Sequence, residues 1–357
     1  MRHIPIIFSV FLLSLTIISC KSTDSTTSSD NTTSTDNTNT TTDDTTTITD
    51  SDNFSSSVNC NNGCFVAVGN SGTIVRSMDN GSSFDNVTSP IANTLHAITF
   101  ANNTFVGVGK YGNILRSRDN GTTWDNVTSP TSKDLRGVGF GNNTFVVVGS
   151  SGNILRSTDN GTTWDNVTSP TGNHLRGVGF GNNTFVAVGM WGTIVRSTDN
   201  GSSWDNATST ISTHVYGITF GNNTFWAVSY AGNILRSTDN GSSWDIVTSP
   251  TANQLQKVEI GNNTFVAVGP SGNRQSGISI INDNIVRSTD NGSSWDNATS
   301  PTSHHLYGVT FANNTFVAVG MVGTIVRSTD NGSSWDIVNS PLPNHWSYNL
   351  WGVAFSE

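Results

Sequence analysis

An eight-residue box, Ser-x-Asp-x-Gly-x-(Ser/Thr)-(Trp/Phe), occurs seven times in this chain, at 77–84, 117–124, 157–164, 197–204, 237–244, 288–295 and 328–335. Consecutive boxes lie 40 residues apart, with one interval of 51. A unit of that length carrying four short strand-like runs is the sequence mark of a propeller blade. Seven boxes therefore predict an all-β fold, a seven-bladed β-propeller of four-stranded antiparallel blades.

The third repeat shows why. Residues 135–140, 144–149, 153–157 and 164–168 are rich in Val, Ile, Thr and aromatics, and Asn-Asn, Ser-Gly and Asp-Asn-Gly turn signals separate them. Each run is too short for a helix. In the second, both alternating sets of side chains are apolar, as expected of a strand packed between two neighbours. A blade alone would leave those faces wet, so the array has to close. The segment 350–355, Leu-Trp-Gly-Val-Ala-Phe, repeats the first-strand pattern Leu-x-Gly-Val-x-Phe after the last box. It is expected to be the innermost strand of blade one, whose other strands lie between 64 and 88, so that no open sheet edge remains. Residues 55–60 are a weaker rival for the same place.

The box reads as a turn device. Its aspartates, Asp79, Asp119, Asp159, Asp199, Asp239, Asp290 and Asp330, can accept hydrogen bonds from the hairpin backbone, the glycine can take positive φ, and the closing aromatic re-enters the sheet as a buried anchor at the outer rim. Six of the ten tryptophans sit in boxes, as a packing role requires. A calcium loop is the lesser reading, because the spacing matches no complete oxygen-ligand loop.

The run Gly-x-Ile-Leu-Arg-Ser-Thr-Asp-Asn-Gly-Thr-Thr-Trp at 152–164 and its six counterparts resemble the Asp-box, or BNR, repeats of sialidase-like propellers. They are most similar to the seven-bladed, non-catalytic type of the photosystem II assembly factors. The resemblance spans roughly 58–357 and implies fold more than function, since Asp boxes occur in hydrolases, receptors and assembly factors alike.

Three parts are expected along the chain: a lipoprotein signal peptide at 1–20, a disordered tether at 21–53 and the propeller at 54–357. The start Met1-Arg2-His3 is basic, 4–18 is largely apolar, and Ile17-Ile18-Ser19-Cys20 resembles a bacterial lipobox, with Ile where Leu is preferred. Cys20 would then carry the lipid; ordinary signal cleavage nearby is the alternative. The apolar run is short for a transmembrane helix. The tether is Ser, Thr, Asp and Asn with seven aspartates, one lysine and no aromatic residue, too polar to bury a core. Its ends would lie ~30 Å apart. It supplies six of the net nine negative charges, which leaves the propeller nearly neutral and without a basic field for nucleic acid. Cys60 and Cys64 flank Asn-Asn-Gly and form a candidate disulfide in an oxidising compartment; a metal pair lacks further thiolates. The Asn-x-Ser/Thr triplets read as turns first.

Differences between repeats isolate candidates for recognition. In the second-to-third-strand turn the variable pair is Asn70-Ser71, Lys110-Tyr111, Ser150-Ser151, Met190-Trp191, Tyr230-Ala231, a long segment after Pro270, or Met321-Val322. At the start of the innermost strand it is His96, Arg136, Arg176, Tyr216, Gln256, Tyr307 or Trp351, expected as a ring at the channel mouth. Tyr111, Arg136, Arg176, Trp191, Tyr216, Tyr230, Tyr307, Trp346 and Trp351 are the binding candidates, since aromatics beside arginines suit sugars, peptides or a protein loop. Extra residues at 274–284 and 342–349 extend loops of this face, where binding or mere drift are both open. His96, His174, His214, His304, His305 and His345 also fall there and read as solvated loop residues rather than metal ligands.

A sialidase-like hydrolase would need three arginines to clamp a carboxylate, and a tyrosine nucleophile paired with a glutamate. Only Arg136 and Arg176 lie on inner strands, and the only glutamates are Glu259 and Glu357. Tyr216 or Tyr307 with Glu259 is the imaginable pair. The expectation is therefore a non-catalytic, monomeric lipoprotein of the bacterial cell envelope, at the outer membrane, whose propeller face binds a protein or a glycan. It would use no metal or cofactor. A glycoside hydrolase and an assembly factor for a membrane complex are the alternatives.

Overall fold

A computed structural model describes residues 63–272 and 284–356. They form seven four-stranded antiparallel sheets, as the seven boxes require. From the inside outward, blade three consists of Leu135–Gly141, Thr144–Gly149, Ile154–Ser157 and Asp165–Val167. Blade one takes its innermost strand from the far end of the chain: Leu350–Ser356 pairs with Cys64–Gly69, in the register Cys64↔Ser356 to Gly69↔Leu350. Phe65 and Phe355 meet across that seam with ring centroids 4.7 Å apart, and the Cys64 amide donates to the Ser356 hydroxyl at 2.8 Å. The rival segment 55–60 lies outside the described residues.

The second strand of every blade is wholly buried because its alternate side chains serve different neighbours. In blade three, Phe145 and Val147 pack with Val106 and Val108 of blade two, while Val146 and Val148 pack with Leu175, Phe185 and Trp204 of blade four. The box aromatic closes each such cluster from the outer side, Phe84 in blade one and a tryptophan elsewhere, as Trp164 and Trp204 do at 6% exposure. Truncating one to Ala would cost about 3–5 kcal/mol.

The Asp box is a closed hydrogen-bond unit. The Ser157 hydroxyl donates to Asp159 Oδ1 at 2.8 Å and accepts from the Gly161 amide at 2.9 Å. Asp159 also accepts from the Thr162 and Thr163 amides and the Thr163 hydroxyl, and the Trp164 indole donates to the Gly161 carbonyl. Asn160 and Gly161 both have positive φ, 59° and 76°, which Asn and Gly tolerate best. Burial alone would raise the Asp159 pKa, but the Thr163, Ser157 and Thr162 hydrogen bonds outweigh it and bring the value down to about 2.

Each box also fastens neighbouring blades, a role the repeat pattern does not announce. Asn160 Nδ2 donates to Thr104 Oγ1 of blade two at 2.7 Å, and Arg156 Nε donates to the Asn200 carbonyl of blade four at 2.8 Å. The same links join Asn80 to Thr315 and Arg327 to Asn80 across the closing seam. At the Asn-Asn hairpins, Asn142 reaches Asn183 and Asn182 reaches Asn223 from blade to blade.

Candidate functional site

The innermost strands carry an irregularity at their second residue. Leu135 pairs with Gly149 and Gly137 with Val148, so Arg136 is left over as a β-bulge. The same shift falls at His96, Arg176, Tyr216, Tyr307 and Trp351. A bulge frees one residue from the ladder and re-aims its side chain. Here the freed residues, with Gln256 in the equivalent position of blade six, line a central cavity of about 500 Å³. The ring expected from the variable positions is therefore present.

Its side chains are not interchangeable around the circle. Arg136 pairs with Asp134 at 3.1 Å, and the Arg176 guanidinium carbon lies 5.7 Å over the Tyr216 ring. Burial, then the charge of Arg136, lowers the Arg176 pKa. The Nε atoms of Arg136 and Arg176 are buried and have no hydrogen-bond partner. On the opposite arc Tyr307 and Trp351 stack at 4.3 Å with planes 20° apart, and the Trp351 indole donates to Asn70 Oδ1 at 2.7 Å. Trp351 is thus a fixed wall as much as a contact surface. Burial, reinforced by Arg136, drives the His96 pKa down to about 4, so its imidazole is neutral at ordinary pH.

Glu259 lies deeper in the same cavity, and burial raises its pKa. Its carboxyl accepts from the Ile260 amide at 3.0 Å and the Thr219 hydroxyl at 3.4 Å. Those partners are not tyrosines, so the Tyr–Glu pair a hydrolase would use is not assembled at Tyr216 or Tyr307.

The other candidates stand around the mouth. Tyr111, Trp191 and Tyr230 occupy second-to-third-strand turns at 66%, 67% and 56% exposure, and Trp346 sits in a short 3-10 turn on the last connection at 67%. Tyr111 and Trp191 have φ of 57° and 58°, a conformation that bulky residues adopt only at a cost. Of the two loop extensions, 274–283 lies outside the described residues.

The histidines require a correction. His174 Nδ1 accepts from the Ser151 amide and His214 Nδ1 from the Trp191 amide, both at 3.1 Å. His305 does the same for Ser271, and Asp134 and Asn349 take this place for Tyr111 and Val322. They are not merely solvated: each is an acceptor that ties the turn of one blade to the entry of the next. Asp and Asn in the equivalent position were the signal in the sequence. Among the described residues, no group of three or more His, Cys, Asp or Glu side chains is arranged to hold a metal ion. Cys64 is disulfide-bonded, while Cys60 and Cys20 lie outside the described residues.

Fold and site together define an Asp-box seven-bladed propeller with a cationic and aromatic channel mouth. The chain belongs to the photosynthesis system II assembly factor YCF48 family, whose model matches residues 79–357. Among solved structures, YCF48 bound to D1 peptide is 19% identical, with TM-score 0.54 over 68% of this chain and 80% of that one. YCF48 from Cyanidioschyzon merolae is 20% identical, with TM-score 0.51 over 72% and 88%. The computationally designed Ika8 protein, 12% identical, reaches 0.56 over 82% and 87%. At such identities the likeness shows the fold. No curated protein matches the chain as a relative.

Proposed function

We propose that this protein is a non-catalytic interaction scaffold whose channel mouth binds an extended, acidic segment of a partner protein. The observation that carries the reading is the ring of bulge residues. The ladder does not pair them, they differ from blade to blade, and they place two partly buried guanidinium groups opposite a stacked Tyr307–Trp351 wall. A carboxylate entering between Arg136 and Arg176 would satisfy donors that the fold leaves unpaired. That a solved YCF48 structure holds a peptide supports peptide recognition as a class; the identity of that peptide is not carried over. We further propose that the chain is a cell-envelope lipoprotein, anchored through Cys20 and held off the membrane by residues 21–53, and that a glycan is a second partner class for the same face.

The test is capture of envelope proteins by the full-length chain. Capture is expected to fail for the Arg136→Gln/Arg176→Gln variant and to persist for Asn142→Ala on the opposite face. Loss on Asn142→Ala alone would place recognition elsewhere. Metabolic labelling with palmitate, abolished by Cys20→Ala, tests the anchor.

A further inference from the structure

We propose that the rim of blades four and five is a platform for acidic oligosaccharides, on which Trp191 and Tyr230 stack against the sugar ring and Arg176 receives its carboxylate. This rests on the reading of the channel-mouth face as the recognition face and assigns a ligand class to one sector of it.

Two exposed aromatic residues on adjacent blades are tied to one histidine. The Trp191 amide donates to His214 Nδ1 at 3.1 Å, and the Tyr230 amide donates to the His214 carbonyl at 2.9 Å. The His214 ring lies 4.6 Å from Trp191 and 6.3 Å from Tyr230, edge to face in both cases. Gly192 adds a bond from its amide to the Thr213 carbonyl at 2.8 Å. The backbones carrying the two rings are therefore fixed relative to each other before any ligand arrives, which lowers the ordering cost of binding. Trp191 holds this place in the left-handed conformation that the turn also imposes on Ser71, Tyr111, Ser151 and Val322. Its indole stays two-thirds exposed although it meets the His214 ring.

Ring contacts continue inward to a cation. Tyr216 lies 6.2 Å from His214, and Arg176 sits over the Tyr216 ring. Among the described residues no carboxylate pairs with Arg176, whereas Arg136 has Asp134. Arg176 thus presents a cation at the inner end of an aromatic path.

A pyranose has one face of C–H bonds and a rim of hydroxyls, so it can cover an open ring while its polar edge stays in water. Exposures of 67% and 56% suit that mode. A uronate adds the carboxylate that Arg176 lacks, and charge-assisted bonds to guanidinium are the stronger ones.

The experiment titrates trigalacturonate, and separately its neutral methyl ester, into the full-length protein by calorimetry. A free-carboxylate acidic peptide is titrated as the probe of the mouth. The acid trimer is expected to bind at least tenfold more tightly than the ester. Trp191→Asn, which keeps a residue tolerant of positive φ, is expected to weaken the trimer at least tenfold while leaving peptide affinity and melting temperature unchanged. Arg176→Gln is expected to reduce the acid trimer to the affinity of the ester. Equal affinity for acid and ester, no binding of the trimer, or indifference to Trp191→Asn would overturn the platform, as would an equal loss of peptide binding in Trp191→Asn. If the peptide binds and the trimer does not, only the platform falls; if neither binds, the reading of the whole face falls with it.

Discussion

Removing the chain after Asn349 should unfold the propeller or leave it marginal. The deleted strand buries Leu350 completely and Val353 and Ala354 to 7% and 6% exposure, and Phe355 packs against Phe65. At about 1.5–3 kcal/mol for each fully buried Leu, Val or Phe side chain, with Phe355 only partly buried, the apolar loss comes to about 5–8 kcal/mol. The ladder from Cys64 to Gly69 also loses its partner, which exposes a fresh sheet edge. A folded protein of this kind has ~5–15 kcal/mol in total, so the deletion consumes most of it. Urea and thermal unfolding, followed by circular dichroism, measure the effect. A peptide of residues 350–356 added to the truncated protein should raise its melting temperature with dose, since anything that binds only the folded form stabilises it. A truncated protein that melts within about 2 °C of the full chain, a shift worth only ~1 kcal/mol at this size, would refute closure by this strand.

Other outcomes follow from the box, the turn acceptors and the buried glutamate. Asp159, Asp199, Asp239 and Asp330 have pKa values of about 2 in the folded chain. Their stabilisation is therefore complete above the ordinary carboxylate pKa near 4 and lost as pH falls toward 2; acid titration of the melting temperature should drop steeply in that window, and by a measurably smaller amount in an Asp159→Asn/Asp199→Asn double variant, which leaves the other five box aspartates in place. His174→Leu should destabilise by about 1 kcal/mol and speed exchange of the Ser151 amide, while His174→Asn, using the acceptor that Asn349 already supplies elsewhere, should restore both. Glu259→Gln should keep the Ile260 amide bonded and fold normally; measurable sialoside turnover in the parent, lost in this variant, would defeat the non-catalytic reading.

The period of the boxes and the Leu-x-Gly-Val-x-Phe echo at 350–355 were enough to read seven blades and their closure, because hydrophobic period and turn residues are local properties of the chain. The bulge at Arg136 was half visible. Gly137 after a variable residue hinted at a break in the ladder, but which residue is freed depends on register against Gly149 and Val148. Inter-blade bonds were hidden for a different reason. Asn160 and Arg156 look like repeat filler, and their partners Thr104 and Asn200 stand in neighbouring repeats, on either side, in contacts made only once the ring closes. The role of His174, His214 and His305 is hidden because an Nδ1 acceptor and a solvated imidazole leave the same mark in a sequence. The bond from the Trp351 indole to Asn70 was hidden likewise, because the two residues lie at opposite ends of the propeller sequence.

Recognition at the channel mouth is tested most directly by photo-crosslinking in intact cells. A benzophenone amino acid placed at Tyr216 should yield a discrete protein adduct, whereas one at Asn142, on the hairpins of the other face, should yield none. Adducts formed from position 142 and absent from position 216 would contradict the account.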